Sequence, residues 1–271
     1  YYKDLLDKFD VDVELIRPKN NSYKSAGEKY ITNSMSQENR EQIKTYMSAI
    51  WEGVSANIVK DRKLTKEEFE RQVSDLQGCL PQDALKNKLV DKLSFKTNFM
   101  DDISKEIVAQ NKLKEGTKAN FVKYSKYRKS VTDIFNHKKD NIAIVYAYGD
   151  VNQGKGSELS IGSETIVKAL QQAAKNKSVK AVVLRVNSPG GDAIASELIT
   201  NEVIKTKKIK PVIVSMGDVA ASAGYEMSSN ATKIVALPLT ITGSIGVFGV
   251  MPNFARSLKN NLGITFDTVK T

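Results

Sequence analysis

The sequence is poor in the residues that carry disulfide, metal and histidine chemistry. A single cysteine, Cys79, excludes an internal disulfide. A single histidine, His137, leaves little material for a Ser-His-Asp triad or a histidine metal site. No run approaches the ~18 consecutive apolar residues that a membrane-spanning helix needs. The chain starts at Tyr1 without the charged and apolar regions of a signal peptide, so we expect any membrane anchor to lie outside it.

The composition is that of a globular protein with a basic surface. Of 271 residues, 41% are hydrophobic and 27% charged, which is too apolar for a disordered chain. The length allows about two domains. Lys and Arg number 41 against 31 Asp and Glu, a net charge of +10. This excess predicts a solvated basic surface that faces anionic lipid, with a nucleic-acid surface as the alternative.

The first half of the sequence predicts helices. Ser36 can cap a helix, and Thr65 with Glu68 forms the capping box of a second. Pro81 suits the first turn of a third. The first of these helices carries apolar residues at the 3–4 residue spacing of a core-facing stripe, namely Ile43, Met47, Ile50, Trp51, Val54 and Ile58. The lysine-rich stretch 112–139 reads as a connector that can hold one helix.

The second half predicts an α/β fold. Four short β-branched runs lie at 142–148, 180–186, 211–216 and 233–237. Helical stretches that begin near Ser163 and Ala195 lie between them. Strands that alternate with helices imply crossover connections and a largely parallel sheet.

The two ends of the chain resemble each other weakly. Residues 2–17 and 254–270 both predict a short helix, a turn and an alternating strand. We therefore expect a repeat of roughly 250 residues, of which each copy is present only in part. The intact protein is then expected to be about twice as long as this chain.

Three glycine-containing loops follow strands of the second half and could carry chemistry. Gly190 and Gly191 end one strand, where exposed backbone N–H groups can bind an oxyanion. Ser222 lies among small residues at a strand-to-helix turn, where a hydroxyl can be a nucleophile or a helix cap. The third loop spans 242–249. Each loop alone is more often an ordinary turn.

Taken together, the loops resemble the signal peptide peptidase A family of serine proteases, within the crotonase-like superfamily. The stretches LRVNSPGG, VSMGDVAASAGY and TGSIGVFGV carry the resemblance. The Clp protease subunit shares the first loop and the serine but lacks the third. YKSAGE, at 23–28, is similar to the stretch that carries the catalytic lysine in double-domain members, and 84–93 is similar to the helix that ends a copy, with Lys88 where glycine is usual.

The resemblance implies roles for individual residues. It implies that Ser222 is the nucleophile, that Lys24 is the general base and that Ser244 orients the lysine. The N–H groups of Gly190 and Ala223 would form the oxyanion hole. A lysine acts as a base only when it is neutral, so its pKa of ~10.4 has to be lowered by burial.

The same resemblance implies the substrate groove and the architecture. Gly191, Val247 and Phe248 are expected to line the groove for small or apolar side chains. We expect a crotonase-like spiral of ββα units in two partial copies: residues 1–111 as the C-terminal part of the first, 112–140 as a basic connector, and 141–271 as the N-terminal part of the second. Neither a metal nor a cofactor is implied.

The expected activity is that of a Ser/Lys endopeptidase acting on cleaved signal peptides and other membrane-proximal peptides. The expected assembly is a homo-oligomer, taken as a tetramer, on the extracytoplasmic (periplasmic) side of the bacterial cytoplasmic membrane, attached through a segment outside this chain. Nucleic acid is not expected as a partner. Two alternatives stay open: an acyl-CoA enzyme of the crotonase superfamily, which would not need the Ser222 and Lys24 pair, and a non-catalytic basic binding module.

Overall fold

The first half of the chain is mainly helical, and strands with intervening helices make up the second half. The computed structural model describes residues 1–114, 116–117, 119–132 and 140–269, and His137 lies outside them. The helices are α1 (Lys3–Lys8), α2 (Gln37–Arg62), α3 (Lys66–Ser74), α4 (Pro81–Lys86), α5 (Lys96–Gln110), α6 (Tyr124–Thr132), α7 (Ser163–Lys175), α8 (Ala193–Lys207), α9 (Ala223–Ser229) and α10 (Ala255–Leu262), with a 3-10 turn at Glu28–Tyr30. The strands are β1 (Asp12–Ile16), β2 (Asn141–Tyr148), β3 (Asp150–Asn152), β4 (Gly156–Ser157), β5 (Ser160–Gly162), β6 (Val179–Ser188), β7 (Val212–Ala221), β8 (Lys233–Val235), β9 (Ile241–Gly243) and β10 (Gly249–Asn253).

The second half forms a parallel sheet. Its order is β2-β6-β7-β8, and β9 pairs with a later part of β7. Helices α7 and α8 connect successive parallel strands, as in β-α-β crossovers. The predicted α/β fold with its four strands is confirmed, and this strand and helix order agrees with the crotonase-like fold class.

The hydrophobic core lies between this sheet and the helices that follow its strands. Alternate residues of β6 and β7 point into it, because successive side chains of a strand face opposite sides. Helices α7, α8 and α9 contribute residues at helical spacing. Fully buried members of the core are Leu170, Leu184, Ile199, Val214 and Met227. This packing holds the carboxyl ends of β6 and β7, and the loops that follow them, in fixed positions.

A separate two-stranded pair joins the beginning of the chain to its end. β1 pairs antiparallel with β10, in a register that sets Asp12 opposite Asn253 and Ile16 opposite Gly249. Residues that follow β1 are thereby brought beside residues that precede β10. This pairing positions the turn that contains Lys24.

The local signals of the helical half are confirmed. Ser36 Oγ accepts from the N–H of Asn39 at the start of α2. The Thr65 capping box is complete, and Pro81 begins α4. Lys88 takes the left-handed conformation, with a φ of 62°, which glycine adopts most readily at the end of a helix.

Two expectations about packing are wrong. The apolar stripe of α2 is not buried in a core, since Met47, Trp51 and Val54 are 55%, 41% and 36% exposed. Periodicity identifies the apolar face of a helix, but it does not tell whether another element covers that face. The second expectation is a strand after α10. Residues 264–269 form no strand and pair with no other described strand.

The described chain divides into two compact units, residues 1–51 with 140–271 and residues 52–139. The second unit is helical, and within it the Asn87 side chain donates to the carbonyl of Gln77. The assignment of 1–111 and 141–271 to two partial copies stays a prediction. None of the described helices combines the length and the apolar character that crossing a bilayer requires.

Candidate active site

Ser222 sits in a sharp turn between β7 and α9. Its φ of 53° is unusual for a residue with a side chain. Two backbone hydrogen bonds of 2.9 Å hold the turn: the N–H of Ser222 donates to Gly243, and its carbonyl accepts from Glu226. A strained strand-to-helix turn of this kind presents a serine hydroxyl away from the backbone.

Lys24 lies in a compact turn that follows β1. The guanidinium of Arg17, at the end of β1, donates to the Lys24 carbonyl at 3.1 Å. The neighbouring Ser25 accepts from Gln42 of α2 at 2.8 Å, and the hydroxyl of Tyr23 donates to Glu41 at 2.9 Å. These contacts hold the backbone on both sides of Lys24, so its side chain is aimed by fixed elements.

The structure brings Lys24, Ser222 and Ser244 together. Lys24 Nζ lies 3.0 Å from Ser222 Oγ, although 198 residues separate them in sequence. Nζ also donates to the carbonyl oxygen of Ser244 at 2.5 Å and to its Oγ at 3.1 Å. The sequence-predicted serine, lysine and second serine therefore form one hydrogen-bonded cluster.

The environment of Lys24 favours the neutral amine. The residue is only 5% exposed, and burial holds the pKa of its amine below the ordinary value of 10.5. No carboxylate among the described residues forms an ion pair with it. A buried lysine without a counter-charge gives up its proton more readily, which a general base requires.

The pH dependence of activity follows from this environment. Below its pKa the Lys24 amine is protonated and has no lone pair for the proton of Ser222. If Lys24 is the general base that the motif resemblance implies, kcat/KM of the intact protein is expected to rise with pH on a limb centred below 10.5. The measurement is a pH profile of peptide cleavage, with circular dichroism at each pH to confirm folding. A rate that stays constant or falls with increasing pH up to 10.5 would contradict it.

The glycine pair after β6 lies against the Ser222 turn. A Cβ on Gly190 would come within 2.7 Å of the Ser222 Cβ and 3.2 Å of the Ala223 nitrogen. The Gly190 N–H donates to Ser188 Oγ at 3.2 Å, whereas no described residue accepts from the N–H of Gly191. The N–H of Ala223 is at the first position of α9, where a helix offers no internal acceptor.

A cavity of about 600 Å³ surrounds the cluster. Gly191, Val247 and Phe248, predicted to line a groove, lie along it together with Lys24, Ser222 and Ala223. Gly246 approaches the lysine turn so closely that a Cβ there would lie 1.9 Å from Asn21 Nδ2. The loop with the apolar residues is thus packed against the Lys24 turn.

A family model agrees with this arrangement. The model described as "Peptidase family S49" matches residues 1–114 and 204–271, more than half of the chain. The chain belongs to peptidase family S49. The resemblance seen in the motifs is confirmed at the level of the family.

Relatives of this S49 chain include two curated proteins and a solved structure. It is 35% identical to Protease 4 of Haemophilus influenzae, over 100% of the chain and 45% of the relative. It is 34% identical to the chloroplastic serine protease SPPA of Arabidopsis thaliana, over 91% and 36%. The chain spans less than half the length of these relatives. The match to the solved structure of ClpP1 from Listeria monocytogenes covers 32% of this chain and 46% of the ClpP1 chain, with 30% identity and a TM-score of 0.26.

Sequence reasoning missed several residues that shape the S49 site. Arg17 holds the Lys24 carbonyl, Ser188 engages the Gly190 N–H, and Asp192 and Glu226 line the cavity. Ser188 and Asp192 flank the glycine pair, so the NSPGGD stretch contained a signal for them. Arg17 and Glu226 carried no pattern of their own, because their places depend on tertiary contacts.

Proposed function

We propose that the intact protein is a serine endopeptidase in which Ser222 is the nucleophile and Lys24 the general base. The observation that carries the proposal is the 3.0 Å separation of Lys24 Nζ and Ser222 Oγ inside the cavity. This distance is within the reach required for direct proton transfer. Family membership supports the same reaction class.

The three contacts of Lys24 match the bonding capacity of a neutral amine. A neutral amine has two N–H groups and one lone pair. The carbonyl and the hydroxyl oxygens of Ser244 accept the two N–H groups. The lone pair is then directed at the hydroxyl of Ser222, which becomes the donor of that hydrogen bond. Ser244 in this way orients Lys24 as the resemblance implies.

The reaction proceeds in two stages, acylation of Ser222 and hydrolysis of the acyl-enzyme. Ser222 Oγ attacks the peptide carbonyl carbon while its proton moves to Lys24 Nζ, giving a tetrahedral oxyanion. The intermediate collapses, the C–N bond breaks, and Lys24 returns the proton to the leaving amine. Water then attacks the acyl carbonyl carbon while Lys24 takes its proton, the ester C–O bond to Ser222 breaks, and Lys24 returns the proton to Ser222 Oγ.

Backbone N–H groups stabilise the oxyanion. Ala223 supplies one donor, and the Gly190–Gly191 pair supplies the second. Gly190 has to release its N–H from Ser188 Oγ to take this role, whereas the N–H of Gly191 faces no competing acceptor in the described part of the chain. Each such donor contributes roughly 3 kcal/mol to transition-state stabilisation in enzymes where one has been removed.

The substrates and the location proposed for the intact protein rest on the family resemblance. Remnants of signal peptides and other membrane-proximal peptides supply short apolar side chains, which suit the exposed Val247 and Phe248 beside Ser222. A homotetramer, bound to the extracytoplasmic side of the bacterial cytoplasmic membrane through a segment outside this chain, completes the proposal. An acyl-CoA enzyme would have no use for the buried Lys24 amine beside Ser222. A basic binding module would need neither the Ser222 hydroxyl nor the Lys24 amine.

Covalent labelling tests the proposal. Incubation of the intact protein with a serine-reactive fluorophosphonate should phosphonylate Ser222, with loss of fluoride, alone among the serines that line the cavity, because only Ser222 has a neighbouring base. Peptide mapping by mass spectrometry identifies the site, and Ser229, exposed in the same cavity, is the internal control. Equal modification of Ser222 and Ser229, together with no cleavage of peptides, would refute the proposed activity.

A further inference from the structure

A second cavity lies beside the catalytic cavity, over the surface of α8 and α9. The second cavity has a volume of about 520 Å³ and shares Glu226 and Ser229 with the first. Its walls include Ile194 and Leu198, which are 61% and 50% exposed. We name the two adjacent cavities together the α8–α9 groove. A peptide whose scissile carbonyl lies at Ser222 has a path along this groove.

The groove is acidic, although the chain as a whole is basic. Three carboxylates line it in the described part of the chain: Asp192, Glu197 and Glu226. The lining also contains the amine of Lys24, which has to be neutral to act as the base. Lys207 lies at the far end, where its amine donates to the carbonyl of Asn230 at 2.9 Å. In its active state the part of the groove next to Ser222 is therefore negatively charged.

Glu226 is the carboxylate placed to contact a substrate. Asp192 is already engaged, since one oxygen accepts from the N–H of Ala195 at 2.7 Å and the other from Gln153 at 3.1 Å. Glu226 accepts only from the hydroxyl of Ser196, through Oε2, and no described residue donates to its Oε1 or forms an ion pair with it.

Helix α9 fixes the position of the Glu226 backbone relative to Ser222. The N–H of Glu226 donates to the carbonyl of Ser222 at 2.9 Å, so the backbone of Glu226 lies one helical turn after that of the nucleophile. The contact from Ser196 of α8 also restrains the side chain. A fixed acidic group with a free oxygen can read the charge of a substrate side chain near the scissile bond.

We propose that Glu226 makes this site select peptides that carry a lysine or arginine side chain close to the scissile bond. The cationic head pairs with Oε1 of Glu226, and the methylene stem packs on the apolar wall of the groove. The inference deepens the proposed peptidase activity and rests on it. It adds a preference for a basic substrate side chain to the preference for apolar side chains already argued for Val247 and Phe248.

The test compares matched fluorogenic peptides in the intact protein. Each pair is identical except for lysine or norleucine, which has a similar length without the charge, at one of the positions around the scissile bond. We expect kcat/KM to favour lysine by about tenfold at one position, and the preference to shrink as ionic strength rises. Glu226→Gln should remove most of this preference, and Glu226→Lys should reverse it. Glu164→Gln, an exposed acid on α7 that lines neither cavity, should keep it.

The outcomes separate this inference from the activity on which it rests. If the unmodified protein cleaves the lysine and norleucine peptides of every pair equally well, the inference is overturned, while the peptidase activity still stands. A lysine preference that survives Glu226→Gln would overturn the role of Glu226. Failure to cleave any peptide, with no fluorophosphonate labelling of Ser222, would overturn the proposed function and the inference together.

Discussion

Lys24→Arg is expected to abolish peptide hydrolysis by the intact protein as completely as Ser222→Ala does. Arginine keeps the positive charge and much of the length of lysine. Its pKa exceeds ~12, so it cannot become the neutral base that accepts the proton of Ser222. We expect each variant to lower kcat by about 10⁴-fold or more, and the double variant to lose little beyond that, because two groups that act as one unit are not additive.

The geometry makes this substitution informative. The amine of Lys24 is buried and contacts two oxygens of Ser244 as well as Ser222. If the residue served only as a structural cation, a guanidinium could satisfy the same oxygens and activity would survive. Lys19→Arg, an exposed position in the same segment, is the matched control and should behave as the unmodified protein. An active Lys24→Arg protein would refute the assigned base.

Gly190→Ala is expected to lower kcat/KM by about 100-fold or more, because it displaces the proposed oxyanion donors or the proposed nucleophile. Gly190 has a φ of 117°, which residues with a side chain rarely adopt. An added Cβ would also lie 2.7 Å from the Ser222 Cβ and 3.1 Å from the Ala221 carbonyl oxygen. Both are backbone-linked atoms that cannot rotate away, so the Ser222 turn has to shift.

A second glycine separates the two causes of that loss. Gly154 also has a positive φ, 78°, but an added Cβ there meets nothing within 4 Å. Gly154→Ala therefore carries the backbone strain, on the order of 1 kcal/mol, without the steric contact. We expect both variants to lower the melting temperature and only Gly190→Ala to lose activity. Thermal unfolding and peptide kinetics provide the measurements, and a Gly190→Ala protein with normal kcat/KM would contradict the close packing.

Much of the candidate site could be predicted from sequence because its residues lie in short motifs. The SPGG, ASAGY and TGSIG stretches each follow a strand, and parallel strands bring their carboxyl ends to one edge of a sheet. The topology explains why the three loops lie at one edge, whereas the prediction that Gly190, Ser222 and Ser244 act in one site came from the motif resemblance. The roles assigned to these residues stay predictions, tested by the variants above.

Other parts of the site could not be predicted, because no local pattern encodes them. The engagement of the Gly190 N–H by Ser188 and the exposure of Glu226 to the cavity depend on how β6, α8 and α9 pack. Likewise, the spacing of apolar residues in α2 predicted a helix correctly but not that Met47 and Trp51 would be substantially exposed. The spacing of apolar residues describes a single helix, whereas the burial of its side chains depends on which other element packs against it.

By itself the sequence determined the local structure: the Thr65 capping box, the cap at Ser36 and the β-branched strands of the second half. These follow from backbone hydrogen bonding and side-chain shape within a few residues. Tertiary structure decided that Lys24 is a buried amine 3.0 Å from Ser222 rather than one of many surface lysines. The physical reason is the antiparallel pairing of β1 with β10, a contact between distant segments that joins the Lys24 turn to the Ser244 loop. Burial in the resulting cavity, and not the identity of the residue, lowers the pKa of the amine.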